Sequence, residues 1–125
     1  MFEGSVIKLE SLTKLYGSNR GVTDLNLDVR FGEVFGYLGP NGAGKTTTIR
    51  LLFDLIRPTK GRAEVLGLDS HSDSREIRRR TGYLPGDLTL YENLTGSELI
   101  RHSSALRKGI SPIILKHLTD RFECN

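Results

Sequence analysis

Along the first third of the chain, apolar and polar residues follow the period of strands. Leu25-Asn26-Leu27-Asp28-Val29 alternates strictly, which predicts a strand with one buried and one wet face. Val6-Ile7-Lys8-Leu9 is a second short strand, and Tyr16-Gly17-Ser18-Asn19-Arg20-Gly21 between them has the composition of a loop. Val34-Phe35-Gly36-Tyr37-Leu38 is an unbroken run of strand length bounded by Gly32 and Gly39, entered through the turn Phe31-Gly32-Glu33, and predicts a buried strand. The period then changes. Ile49, Leu52, Phe53 and Ile56 fall at i, i+3, i+4 and i+7, one face of a helix that Pro58 and Gly61 stop. Arg62 to Leu66 and Thr81-Gly82-Tyr83-Leu84-Pro85 are further strands, the latter closed by proline and followed by the turn Pro85-Gly86-Asp87. Between those two strands, Asp73 with Glu76 three residues on is a capping-box pattern that opens a short helix over 73–80.

The last third reads as helical. Thr95 with Glu98 is another capping box and Leu94 with Leu99 a matching staple, predicting a helix to about Leu106 that Lys108-Gly109 ends. Ser111-Pro112 is an N-cap followed by proline at the first helical position, and the helix it opens carries Ile114, Leu118 and Phe122 on one face. The order is thus a β-rich start, one strand–loop–helix unit with flanking strands, then helices: an α/β domain leading into a helical subdomain. No internal repeat or low-complexity linker interrupts it.

Composition narrows the setting more than the fold. At 125 residues the chain makes one domain at most, and its 37% hydrophobic and 26% charged content is that of a soluble globular protein. No stretch reaches the 18 or more apolar residues of a membrane span, and Met1-Phe2-Glu3-Gly4 lacks the regions of a signal peptide, so membrane attachment is expected only through a partner. The net charge of +3 is mild, and its one cluster, Arg78-Arg79-Arg80, reads as a solvated helix face rather than a nucleic-acid or lipid contact; no nucleic-acid partner is expected. The single Cys124 forms no intramolecular disulfide and fits a reducing cytosol. No Cys/His cluster has zinc spacing.

The chemistry lies between the predicted strand and helix. Gly39-Pro40-Asn41-Gly42-Ala43-Gly44-Lys45-Thr46-Thr47 has the form G-x-x-x-x-G-K-[ST], a phosphate-binding loop. Its glycines let backbone N–H groups turn inward, where side chains would block an approaching phosphate. Lys45 supplies a point charge for the β- and γ-phosphates, the Thr46 hydroxyl suits Mg²⁺, and the following helix adds the positive end of its dipole.

Several further segments carry a resemblance in the right order: Leu15-Tyr16-Gly17, the loop itself, Leu55-Ile56-Arg57-Pro58-Thr59-Lys60-Gly61, Thr81-Gly82-Tyr83-Leu84-Pro85 and Tyr91-Glu92-Asn93-Leu94-Thr95. Together they resemble the N-terminal half of ATP-binding cassette (ABC) transporter ATPases, most closely the bacterial multidrug-exporter group. The resemblance implies a P-loop NTPase fold of the ABC type. It places an ATP-binding core over about residues 1–86 and the start of the helical subdomain over 87–125. It implies ATP and Mg²⁺ as ligands, transmembrane permease subunits and a second nucleotide-binding domain as partners, and a position on the cytoplasmic face of the membrane.

Carried over, Tyr16 matches the aromatic that stacks on adenine; the residue alone reads rather as a loop tyrosine packed on the sheet, and it is the resemblance that favours stacking. The family usually has glutamine where Gly86 stands. Asp87 beside it is either a substitute Mg²⁺ ligand or, the reading its turn chemistry favours, a turn former. Leu88, Leu90, Tyr91 and Leu94 are either core or part of a surface that receives a helix of the membrane subunit.

Hydrolysis needs more than this loop. A second acidic strand end, the glutamate after it, a later histidine and a Leu-Ser-Gly-Gly-Gln-type signature are the family's remaining parts, and none occurs before Asn125. The chain therefore reads as a truncated cassette that binds ATP without turning it over, with exposed strand edges prone to self-association. A GTPase would want an Asn-Lys-x-Asp base reader and a small kinase an Arg-rich lid. A non-catalytic docking module is the other reading.

Overall fold

The computed structural model describes residues 4–86, 93–106 and 111–122. It divides into two compact units, Met1–Tyr83 and Leu84–Asn125.

The first unit is built on a four-stranded antiparallel sheet. Strands β1 (Ser5–Tyr16), β2 (Asn19–Arg30), β3 (Lys60–Val65) and β4 (Leu68–Asp69) lie in the order β2-β1-β3-β4. The segment expected as a loop over 16–21 is instead a tight turn at Gly17-Ser18, and β1 and β2 run on to twelve residues each. They stay paired over that length by bending at bulges. Ser11 (φ 46°) and Asp24 (φ 49°) stand in the left-handed region there, and side chains take up the freed donors: Ser11 N–H donates to Asn26 Oδ1 (2.9 Å) and Asp24 N–H to Thr13 Oγ1 (3.0 Å). The short β4 was not legible in the pattern. It follows β3 through the two-residue turn Leu66-Gly67, where both residues have positive φ as a type I′ hairpin requires.

Helix α1 (Lys45–Leu52) ends a turn earlier than the spacing of Ile49 to Ile56 predicts. Asp54 takes φ 52°, its N–H donates to the Leu51 carbonyl and Leu55 N–H donates to the Arg50 carbonyl, the pair of bonds of a Schellman cap. Asp54 is held in that place by Arg57 (3.2 Å) and His71 (3.3 Å). Helix α2 (Ser74–Arg80) forms where expected, but without a capping box: Asp73 makes no side-chain cap, and Glu76 turns to Arg79 and Arg80. Those two guanidiniums hold the Glu76 carboxyl at about 2, well below its usual value. One face of the sheet (Leu9, Leu12, Ala63, Val65) packs on Leu51 and Leu52 of α1 and Ile77 of α2, which makes the core.

The two strands predicted at 34–38 and 81–85 do not form. Both segments lie outside the sheet, and no strand among the described residues pairs with either. A β-strand is held by the ladder on its flanks, and an apolar run without neighbours has only its side chains to fix it. Those side chains work on one side alone. Phe35 and Tyr37 stack (6.5 Å between ring centroids) and Tyr83 lies on Phe53 (5.2 Å), whereas Val34, Leu38 and Leu84 remain exposed.

In the second unit, α3 (Gly96–Ala105) opens with the expected capping box: Glu98 N–H donates to Thr95 Oγ1, and Thr95 N–H to the Glu98 carboxylate. Helix α4 (Pro112–Arg121) starts with proline in its first turn, although the Ser111 side chain makes no cap bond. On its predicted apolar face, Ile114, Leu118 and Phe122 are all exposed. Asp87, Leu88, Leu90, Tyr91, Lys108, Gly109 and Cys124 lie outside the described residues.

Candidate nucleotide site

The phosphate loop leads directly into α1, with Gly44 as the helix N-cap at φ 87°, ψ 4°. That conformation and the space around it both demand glycine, because a Cβ on Gly44 would overlap the carbonyl oxygen of Gly21 in β2. The loop is thereby seated against the sheet. From inside the helix, Thr48 fastens it a second time. Thr48 is 1% exposed; its hydroxyl donates back to the Gly44 carbonyl (3.1 Å) and accepts from the Tyr37 hydroxyl (3.3 Å). A chain of three groups thus ties the segment before the loop to the helix after it.

Lys45 folds back over the loop, its Nζ donating to the carbonyl oxygens of Gly39 and, at 2.8 Å, of Pro40. The ammonium is thereby held against the first two residues of the loop, close to the start of the helix whose free N–H groups favour an anion. Thr46 is exposed, with no side-chain hydrogen bond among the described residues. A hydroxyl oxygen of this kind fits the hard-oxygen preference of Mg²⁺.

These residues line one cavity of about 350 Å³, walled by Tyr16, Gly21 and Asn41 through Thr47. Two sequence-predicted features, 23 or more residues apart in the chain, are brought together there: the aromatic at the end of β1 and the loop before α1. Gly39 and Pro40 are not part of that wall; their carbonyls are bound by Lys45. Gly21 was missed by the sequence reading; a glycine in a Gly/Asn/Ser-rich stretch carries no signal that its backbone meets another backbone. Among the described residues no group of three or more His, Cys, Asp or Glu could hold a metal ion. Nor is any helix among them long and apolar enough to cross a membrane.

Comparison with known proteins agrees with this geometry. The ABC transporter family profile matches residues 22–123. The chain belongs to the ABC transporter family. It is 47% identical over 94 residues to the bacitracin transport ATP-binding protein BcrA of Bacillus licheniformis, covering 75% of this chain and 31% of that protein. To the daunorubicin/doxorubicin resistance ATP-binding protein DrrA of Streptomyces peucetius it is 46% identical over 92 residues, covering 74% and 28%. A solved ATP-binding subunit of an ABC transporter superposes with a TM-score of 0.73 at 30% identity, over 87% of this chain and 45% of that one. The fold is that of a P-loop ABC ATPase, and the chain spans about a third of the length of these curated relatives.

Proposed function

We propose that this chain is the ATP-binding portion of a transporter cassette of the drug-exporter kind. Lys45 and the backbone of residues 39–47 hold the phosphates, Thr46 ligates Mg²⁺ and Tyr16 stacks on the adenine ring. The observation that carries this reading is the shared cavity of Tyr16 and residues 41–47, which sets a flat aromatic beside a phosphate cradle. The names of its relatives, a bacitracin transport protein and a daunorubicin/doxorubicin resistance protein, support the exporter part of it. Transmembrane permease subunits and a second nucleotide-binding domain are the partners this reading calls for, and they bring the chain to the cytoplasmic face of the membrane. These 125 residues bind ATP and do not hydrolyse it unaided, because the cradle positions phosphates but supplies no water-activating carboxylate.

Titration of the protein with Mg-ATP and Mg-GTP tests the assignment. Saturable binding with preference for ATP is expected, and Lys45→Ala weakens it about 10- to 100-fold, the value of one charge-assisted hydrogen-bonding group. Equal affinity for GTP, or binding that survives Lys45→Ala unchanged, overturns the reading. Phosphate release by the isolated protein overturns the statement on hydrolysis.

A further inference from the structure

The Tyr16 ring does not stand free at the end of β1. Lys14, two residues earlier and so on the same side of the strand, places its Nζ 5.4 Å from the ring centroid. Lys14 takes part in no ion pair among the described residues, so its charge is not committed elsewhere. The backbone that carries it is clamped on both flanks by one residue. Thr59 N–H donates to the Thr13 carbonyl (2.8 Å), and Thr59 Oγ1 accepts from Leu15 N–H (3.1 Å). On another side the ring meets Gly21, where an added Cβ would lie 2.8 Å from Cε2 and 3.1 Å from Cδ2 of Tyr16. The same Gly21 abuts Gly44 of the phosphate loop. Tyr16 is 46% exposed, which leaves ring surface open to the cavity.

We propose that Lys14 is a positioning residue of the base subsite: it braces the Tyr16 ring by a cation–π contact on one face and leaves the opposite face to the base of the nucleotide. This rests on the reading of Tyr16 as the base platform. An aromatic at a strand end has free rotation about its first side-chain torsion and must be ordered when a base lands on it. A ring already held by a cation over one face, with Gly21 close to its Cδ2 and Cε2 atoms, loses less freedom on binding. The cation also leaves a single face for stacking, so the base enters in one orientation relative to the cradle.

The test compares two ligands on the full chain, Mg-ATP and inorganic tripolyphosphate, by calorimetric titration of wild type, Lys14→Met, Lys14→Arg and Tyr16→Ala. Tripolyphosphate reads the cradle alone, and only ATP reads the platform. Lys14→Met keeps the aliphatic stem and removes the charge. It is expected to weaken ATP about two- to five-fold, the range of an exposed cation–π contact, while leaving tripolyphosphate unchanged. Lys14→Arg restores ATP affinity, and Tyr16→Ala weakens ATP at least as much as Lys14→Met. Three results overturn the proposal: equal weakening of both ligands by Lys14→Met, which makes Lys14 a general phosphate attractor; no weakening of ATP by Lys14→Met while Tyr16→Ala weakens it; and no effect of Tyr16→Ala on ATP. A wild-type protein that binds neither ligand defeats the nucleotide reading itself, and a protein that binds tripolyphosphate as tightly as ATP defeats only the base platform.

Discussion

Gly44 concentrates the demands of the site in one residue. It caps α1 at φ 87°, and its missing side chain is the space that the Gly21 carbonyl occupies. Gly44→Ala therefore combines a left-handed backbone strain with a steric overlap against backbone, which cannot rotate away. A loss of about 1–3 kcal/mol of stability is expected, together with weakened ATP binding, read by thermal melts and ATP titration of the same variant. A variant as stable and as tight as wild type shows that the loop is not seated on Gly21. The identity of the loop was plain in the sequence, because G-x-x-x-x-G-K-[ST] fixes residue types at fixed offsets and each type has a reason. Its seating was not. Gly21 and Thr48 lie outside the motif; one acts through a carbonyl and the other through a buried hydroxyl, and neither leaves a mark in residue type alone.

Among the elements, β1 and β3 are joined by more than their ladder. On the exposed face Glu10 sits between Lys8 (2.7 Å) and Arg62 (2.7 Å), one from its own strand and one from the neighbour. Hydrogen bonding first from Arg62 and then from Lys8 holds the Glu10 carboxyl at about 2, below its ordinary 4.5. A carboxylate whose value is depressed by folding stabilises the native state above its unfolded value and ceases to do so as pH falls through its folded one. The contribution of Glu10 is thus present above about 4.5 and fades towards 2. Glu76 is depressed over the same window, so the comparison needs a variant. Glu10→Gln is expected to melt below wild type at neutral pH and to converge with it as the solution is acidified through that window. A gap that stays constant with pH excludes the carboxylate as its source. These elements also show what the pattern of apolar residues can and cannot tell. The strict alternation at 25–29 identified a half-buried strand because alternation is itself the signature of one packed face. The unbroken apolar run at 34–38 and the proline-closed segment at 81–85 predict strands without that alternation. An apolar run, however, records only a preference for burial, and whether a ladder forms depends on a neighbour that the local sequence does not contain.

At the scale of the whole molecule, exposed apolar residues outside the sheet are expected to shape its behaviour in solution. Val34 is 101% and Leu38 90% exposed, although both stand in the most apolar stretch of the first unit. Their neighbours Phe35 and Tyr37 stack on each other, and Tyr37 is anchored on Thr48. An exposed, apolar and uncharged segment outside any sheet is a candidate for pairing with another chain. In the second unit Ile114, Leu118 and Phe122 are exposed large hydrophobics at the α4 end of the chain. Either surface favours association, but they fail differently on substitution. The protein is expected to self-associate as its concentration rises, by sedimentation or light scattering, and Val34→Lys with Leu38→Lys shifts the equilibrium towards monomer if strand pairing is the route. A matching change at Leu118→Lys and Phe122→Lys identifies the helix face instead. A protein that stays a monodisperse monomer across the concentration series overturns the expectation of self-association.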